Sequence, residues 1–211
     1  AVYVDGIRVP LIYHLGGFVS ILNADLIDSV DYLPGSYGVK YGRSLGGVVD
    51  VQTKQDFPEQ NQLSWSTDIL DSGGLVQGRI GEWGVAAAAR RSYIDALIPL
   101  FTKDAGLTVK PRWFDYQFKL DHLDRDNGKL SFFLFGFEDK LLVATPDDVP
   151  QGTDPDGQGA FGTSYSTHRG YIKWTHDVND ELQLRLTPSF GVDKIAFEVG
   201  GIEVIQSQPS I

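Results

Sequence analysis

Phe114-Asp115-Tyr116-Gln117-Phe118-Lys119-Leu120-Asp121 is the stretch on which the reading of the fold turns. Aromatic or aliphatic side chains fill every even position, and charged or amide side chains every odd one. A period of two is what an extended strand requires, because successive side chains point to opposite faces. The same grammar runs outward in both directions. Leu63, Trp65, Thr67 and Ile69 oppose Ser64, Ser66 and Asp68; Ile172 and Trp174 oppose Tyr171, Lys173 and Thr175; Leu182, Leu184 and Leu186 oppose Gln183, Arg185 and Thr187. With Val85 to Tyr93 and Leu130 to Lys140, about seven two-faced antiparallel strands are expected from Gln62 onward. Trp65, Phe118, Phe133, Trp174 and Leu184 are expected on the apolar face, and Ser64, Lys119 and Arg185 on the polar one.

Alternation alone fits either a soluble sandwich, whose polar face meets water, or a transmembrane barrel, whose apolar face meets lipid. The connections add information. Gly81 to Gly84, Asp126-Asn127-Gly128 and Val178 to Asp180 are short, whereas 94–113 and 144–169 are long. Short and long links in turn suit a barrel with tight turns at one rim and long loops at the other. Loops of more than about 12–15 residues are uncommon in compact soluble domains. No run approaches the roughly 18 apolar residues of a membrane helix, which leaves barrels untouched.

Composition narrows the function classes. A net charge of −10 argues against a nucleic-acid partner, which needs a basic face. The absence of cysteine excludes disulfides, thiolate metal sites and a cysteine nucleophile. His14, His122, His168 and His176 are scattered without metal-ligand spacing, so no metal and no cofactor is expected. Asp154-Pro155-Asp156-Gly157 opens like a calcium loop, but Tyr165 stands where the bidentate glutamate belongs. No nucleophile elbow occurs, and no catalytic residue is assigned; the chain reads as a non-enzyme.

Residues 1–54 follow another grammar. Val2-Tyr3-Val4 runs into the Asp5-Gly6 turn, and Asn23 can cap a short helix over 24–29. A strand at 30–33 closes on Pro34-Gly35, and the region ends with Tyr41-Gly42, Gly46-Gly47 and the strand Val48-Val49-Asp50-Val51-Gln52-Thr53-Lys54. Residues 55–61 form a polar linker containing Pro58. From the residues alone, 1–54 is a small α+β unit.

In order and spacing these elements resemble the C-terminal part of the plug of a TonB-dependent outer-membrane receptor: the strand ending in Asp5-Gly6, the acidic segment Asn23 to Gly35, and Tyr41-Gly42, Gly46-Gly47, Val48 to Val51 and Thr53-Lys54. Gly78 to Gly81 and Ala89 to Tyr93 are similar to a variant common in that family's barrel. The resemblance implies a mainly β chain: a partial α+β plug (1–54), a linker (55–61) and the first strands of a transmembrane β-barrel (62–211). The family's barrel has about 22 strands, so the chain reads as part of a longer protein. The resemblance also implies active uptake of an extracellular ligand (siderophore, cobalamin, sugar or peptide) across the bacterial outer membrane. The implied partners are the periplasmic energy transducer TonB with its inner-membrane motor, outer-membrane lipid and that small ligand. Two other readings stand beside it: a passive or adhesive outer-membrane β-protein, and a soluble carbohydrate-binding sandwich.

Arg43, in the glycine turn, is expected to form a plug–barrel ion pair. Arg90 and Arg91 point to opposite faces of their strand; Arg90 is assigned to plug–barrel contact, against the commoner reading of the pair as interfacial arginines. Asp154, Asp156, Phe161 and Tyr165 are assigned to a ligand-entry loop. Residues 1–54 are expected to lie on the polar face of the following sheet. Gly35, Gly42 and Gly46-Gly47 are expected to allow close approach to that wall.

Overall fold

The computed structural model describes residues 1–17, 19–42, 46–101, 108–122, 128–144, 161–199 and 202–210. The chain is mainly β and forms two sheets.

The first sheet is mixed, with strand order β2-β1-β4-β3. β1 (Val2–Val4) and β2 (Ile7–Val9) form a hairpin, β1 runs parallel to β4 (Val48–Thr53), and β3 (Ile27–Leu33) pairs antiparallel with β4. Asp5 and Gly6, with φ of 50° and 86°, close the hairpin. Two successive positive φ angles match the twist of paired strands, and an Asp-Gly pair supplies them at low cost. The helix expected over 24–29 is only a 3-10 turn, Ala24–Leu26. Asn23 does cap it, accepting from Asp25 N at 2.9 Å. Ile27 then enters β3, where pairing with Thr53 holds it extended.

The second sheet contains β5 (Gln62–Thr67), β6 (Asp71–Ile80), β7 (Trp83–Ser92), β8 (Thr108–His122), β9 (Lys129–Ala144), β10 (Phe161–Asn179), β11 (Leu182–Leu186), β12 (Ser189–Val199) and β13 (Ile202–Ser210). All pairings are antiparallel, and they follow chain order except that β12 pairs with β10 and not with β11. β11 and β12 both pair with the same edge of β10 and are separated at Thr187-Pro188. A proline has no N–H for the ladder, so the strand breaks there. The sheet is open: β5 and β13 are its edges.

Among the described residues, nine strands therefore stand where about seven were expected, and 189–210 supplies the two that were missed. The long connections are shorter than expected. Helix α1 (Ile94–Phe101) occupies part of the first, and β8 already begins at Thr108. In the second, β10 starts at Phe161, so 161–169 is strand and not loop. Asp126 and Asn127 lie outside the described residues.

On β8 the buried face is the polar one. On β8, Asp115, Gln117 and Lys119 are each 2% exposed and Asp121 is 0%, while Phe114 is 42% and Phe118 36% exposed. The first 54 residues cover the polar face. Val4, Val9, Ile21, Leu22 and Val51 pack against Phe133, Phe135, Phe137 and Tyr171 in one buried cluster. Phe133 thus belongs to the covered face, not to the outer face where it was expected. It alternates with Phe132 and Leu134, so composition could not tell which way this all-apolar run faces.

The connecting segment has its own anchor. Phe57 is buried among Leu26, Leu75, Ala86 and Ala88. Its ring lies on Gly84, where a Cβ would come within 2.1 Å of it. By contrast, no described atom lies within 4 Å of where a Cβ would stand at Gly35, Gly42 or Gly46, and at Gly47 the neighbours are Tyr32 and Leu33. Close approach to the wall is not the role of these glycines.

Candidate functional site

The seam between the N-terminal region and the covered face holds two buried polar clusters on either side of the phenylalanines. The first is built on His14, which follows the apolar run Leu11-Ile12-Tyr13. A bridge between Tyr13 and Ser20, with His14 N donating to Val19 O at 2.8 Å, projects this loop at the wall. His14 is fully buried. Its Nδ1 lies 2.5 Å from Asp139 Oδ1 on β9, and its Nε2 lies 3.0 Å from Asp115 Oδ2 on β8. Trp113 stacks near the ring and Phe137 meets it edge-on.

A neutral imidazole has one N–H, and a carboxylate only accepts. With a carboxylate oxygen at each nitrogen, both bonds require the imidazolium. Burial pushes the His14 pKa down, but the hydrogen bonds and charges of Asp115 and Asp139 outweigh it, and the net direction is up. Leu15 N donates to Asp139 Oδ2 at 2.6 Å from a left-handed residue, φ 48° and ψ 32°. Such a conformation costs a side-chain-bearing residue about 1–2 kcal/mol and persists only where its surroundings enforce it.

Arg90 lies beside this cluster. Its Nε and one terminal nitrogen donate to Asp115 Oδ2 at 2.8 and 2.7 Å, and it also donates to the Ser20 carbonyl. Arg90 therefore bridges wall and N-terminal region, but through a backbone carbonyl; its carboxylate is on its own sheet. Arg91 is exposed on the other face. Gln117 completes the cluster, accepting from Asn23 N at 2.8 Å and donating to Ile21 O at 2.7 Å.

The second cluster centres on Asp5, read from sequence as a turn residue alone. Its carboxylate accepts from Thr53 N at 2.9 Å, from Thr53 Oγ1 at 2.5 Å, and from the Tyr171 hydroxyl of β10. Lys119 Nζ donates to Thr53 Oγ1 at 2.6 Å and sits 3.5 Å from Asp121 Oδ2. Arg185 lines, with Gln52, Gln55, Lys129 and Lys173, an open polar cavity of about 580 Å³ between the linker and the sheet.

The assigned site residues are not brought together. Arg43, Asp154 and Asp156 lie outside the described residues. Phe161 is exposed at the start of β10, and Tyr165 points to the covered face, where its ring meets Phe137 and its hydroxyl accepts from Thr167 Oγ1. Both belong to a strand rather than to a loop. His14, Asp5, Asp115 and Asp139 were not singled out. The available signal was a lone histidine in an apolar run, together with acids on the polar faces of strands.

No protein-family model matches the chain, and no curated protein matches it in sequence.

Proposed function

We propose that the chain is part of a TonB-dependent outer-membrane receptor: residues 1–54 the C-terminal part of the plug, 55–61 the linker, and 62–211 the first strands of a transmembrane barrel that further strands would close. Its function on this reading is active uptake of a small extracellular ligand, with the energy transducer TonB pulling on the plug. The observation that carries the reading is the inverted burial of β8, apolar side chains outward and carboxylates, amide and ammonium inward. In water an exposed face this apolar is an association liability; against lipid it is the stable arrangement, with the polar face toward a wet or plugged lumen.

Three further features support the reading. On β9, no charged residue points outward between Leu130 and Phe137. These eight residues span roughly 25 Å at about 3.3 Å each, comparable to the apolar band of a barrel. Aromatic residues border the band, Trp83 and Trp174 at one rim and Trp65, Phe114 and Tyr116 at the other. The seam flanks its apolar cluster with two buried hydrogen-bonded polar clusters, whose contacts can be exchanged for water by a part that must leave its seat. A soluble sandwich would bury the opposite face of β8.

Uptake tests the function. Cells carrying the intact parent receptor, given labelled iron chelates, cobalamin, oligosaccharides or peptides, should accumulate one class, and a protonophore should abolish that accumulation. Accumulation insensitive to the protonophore would favour the passive alternative; surface binding without accumulation would favour the adhesive one.

A further inference from the structure

We propose that the polar cavity between the linker and the sheet is a binding site for an uncharged, polyhydroxylated ligand, a saccharide. The inference rests on the uptake reading and names its substrate class. The cavity measures about 580 Å³, within the roughly 300–1,000 Å³ of small-molecule sites.

One wall of the cavity follows from register. Tyr171, Lys173, Thr175 and Asp177 share the inward face of β10, while Ile172 and Trp174 are exposed on the other. This row begins at the Asp5 cluster, where the Tyr171 hydroxyl donates to Asp5, and runs to the short turn after Asn179. On β11, Arg185 is opposite Thr175 and Gln183 is opposite Asp177. Gln183 donates to Asp177 Oδ1 at 2.8 Å and accepts from Arg185 at 3.3 Å. Lys173 Nζ is held 5.5 Å from the centre of the Tyr171 ring. Side chains fixed in advance lose less freedom on binding. Gln52 of β4 and Gln55 of the linker line the cavity from the other side.

The chemistry of the lining selects the ligand. Three amides, Gln52, Gln55 and Gln183, and two hydroxyls, Ser131 and Thr175, offer both donors and acceptors, as the hydroxyls of a sugar do. Among the described residues, no aliphatic side chain and no phenyl, phenol or indole ring lines the cavity. Most small-molecule sites are lined mainly by such groups. A flat aromatic ligand, or a peptide with apolar side chains, would therefore find no apolar wall to cover it. The charges balance. Lys129, Lys173 and Arg185 line the cavity together with Asp56 and Asp177. Lys119, Asp5 and Asp121 also act on Lys173. The tally is four cations against four carboxylates. His122, also in the lining, lies 3.5 Å from Glu82. No excess of either sign is left to hold an ion, and a charge taken out of water without a partner is costly. An uncharged ligand rich in hydroxyls avoids that cost.

The test titrates the intact parent receptor, in detergent micelles and labelled with nitrogen-15 at its glutamine side-chain amides, with maltose, sucrose, cellobiose, digalacturonate and trialanine in turn. The signals of Gln52, Gln55 and Gln183 are identified by their loss in single variants. At least one of the three neutral disaccharides should shift them saturably, with a midpoint that does not move between low and high salt. Gln183→Ala and, independently, Thr175→Val should each weaken that binding roughly fivefold, the scale of one hydrogen bond; Gln62→Ala, outside the cavity, should leave it unchanged. Thr175→Val keeps the shape and β-branching of its strand, so the result does not depend on Gln183→Ala folding. Sugars that shift none of the three signals, even when bound elsewhere on the receptor, overturn the proposal. Tighter binding of digalacturonate that fades in high salt makes this an anion site, and tighter binding of trialanine a peptide site; either overturns the saccharide assignment. Binding at these amides without protonophore-sensitive accumulation of the same sugar by cells overturns the uptake reading and leaves the site in place.

Discussion

His14 Nδ1 lies 2.5 Å from Asp139 Oδ1, and the same ring reaches Asp115 through Nε2, so one side chain of the N-terminal region is tied to two adjacent strands of the wall. The pair is buried and Arg90 neutralises the second carboxylate. Such a tie holds two parts in register yet weakens when a single proton leaves. A packed apolar contact has no comparable release.

The sign of its pH dependence follows from the raised pKa of His14. A group whose folded pKa lies above the unfolded value, about 6.5 for histidine, contributes stability that is complete below the unfolded value and is lost as pH rises through the folded one. The seam should therefore loosen as pH climbs above that folded value. Amide exchange at Leu15 and Asn23 should speed up over that range in the native protein, and the rise should be absent in His14→Gln. Exchange that slows as pH is raised, after correction for the intrinsic rate, would reverse the assignment. His14→Ala should cost about 3–5 kcal/mol, because it leaves two buried carboxylates with one cation.

Lys119 and Asp121 form a buried pair 3.5 Å apart. Removing either charge alone strands the other, whereas replacing both with apolar residues of similar volume is often neutral. Lys119→Met and Asp121→Leu should each lower stability by about 3 kcal/mol or more, and the double variant should recover most of that loss. Equilibrium unfolding of the four proteins closes the cycle; strictly additive losses would show that the charges do not act as a pair.

Gly84 makes room for Phe57, which seats the linker. A methyl group at 2.1 Å from the ring cannot be accommodated without displacing it. Gly84→Ala should destabilise by about 1–3 kcal/mol, the usual scale of overpacking. Phe57→Leu, introduced together with it, should restore part of the loss. If Gly84→Ala melts with the parent protein, the linker is not anchored there.

Phe118 lies midway along the outer face, between Ala87 and Leu134. Phe118→Arg should cost roughly 2–4 kcal/mol in bilayer folding equilibria, and Thr67→Arg, near the rim, about 0–1 kcal/mol. Equal costs would argue that the two positions see the same medium.

Much of the fold was legible because alternation writes itself into sequence. Phe114 to Asp121 shows both its faces, and the structure keeps them apart as its period dictates. Where both faces are apolar the signal fails, as at Phe132 to Phe135, and Phe133 turns inward. Thr163 to Ser166 offers few apolar residues, so its strand is set by pairing with β9 and β12 and not by pattern. The seam was legible only as an expectation of contact. Its residues are distant in sequence, His14 being 125 positions from Asp139. No local pattern marks a carboxylate as belonging to a histidine elsewhere. Asp5 was read for its backbone role, and nothing in an Asp-Gly pair announces that the side chain will also bind a tyrosine on β10.

The central claim is that the outer face of the sheet meets lipid and the other face meets the N-terminal region. Nitroxide labels placed singly at Phe118, Leu134, Trp174 and Leu184, and at Ser64 and Arg185, test it in reconstituted bilayers with oxygen and a polar nickel chelate as competing relaxants. The account predicts that the first four labels relax chiefly with oxygen, and that the last two relax with the nickel chelate or with neither. Relaxation of all six by the nickel chelate would contradict it, since the outer face would then be in water.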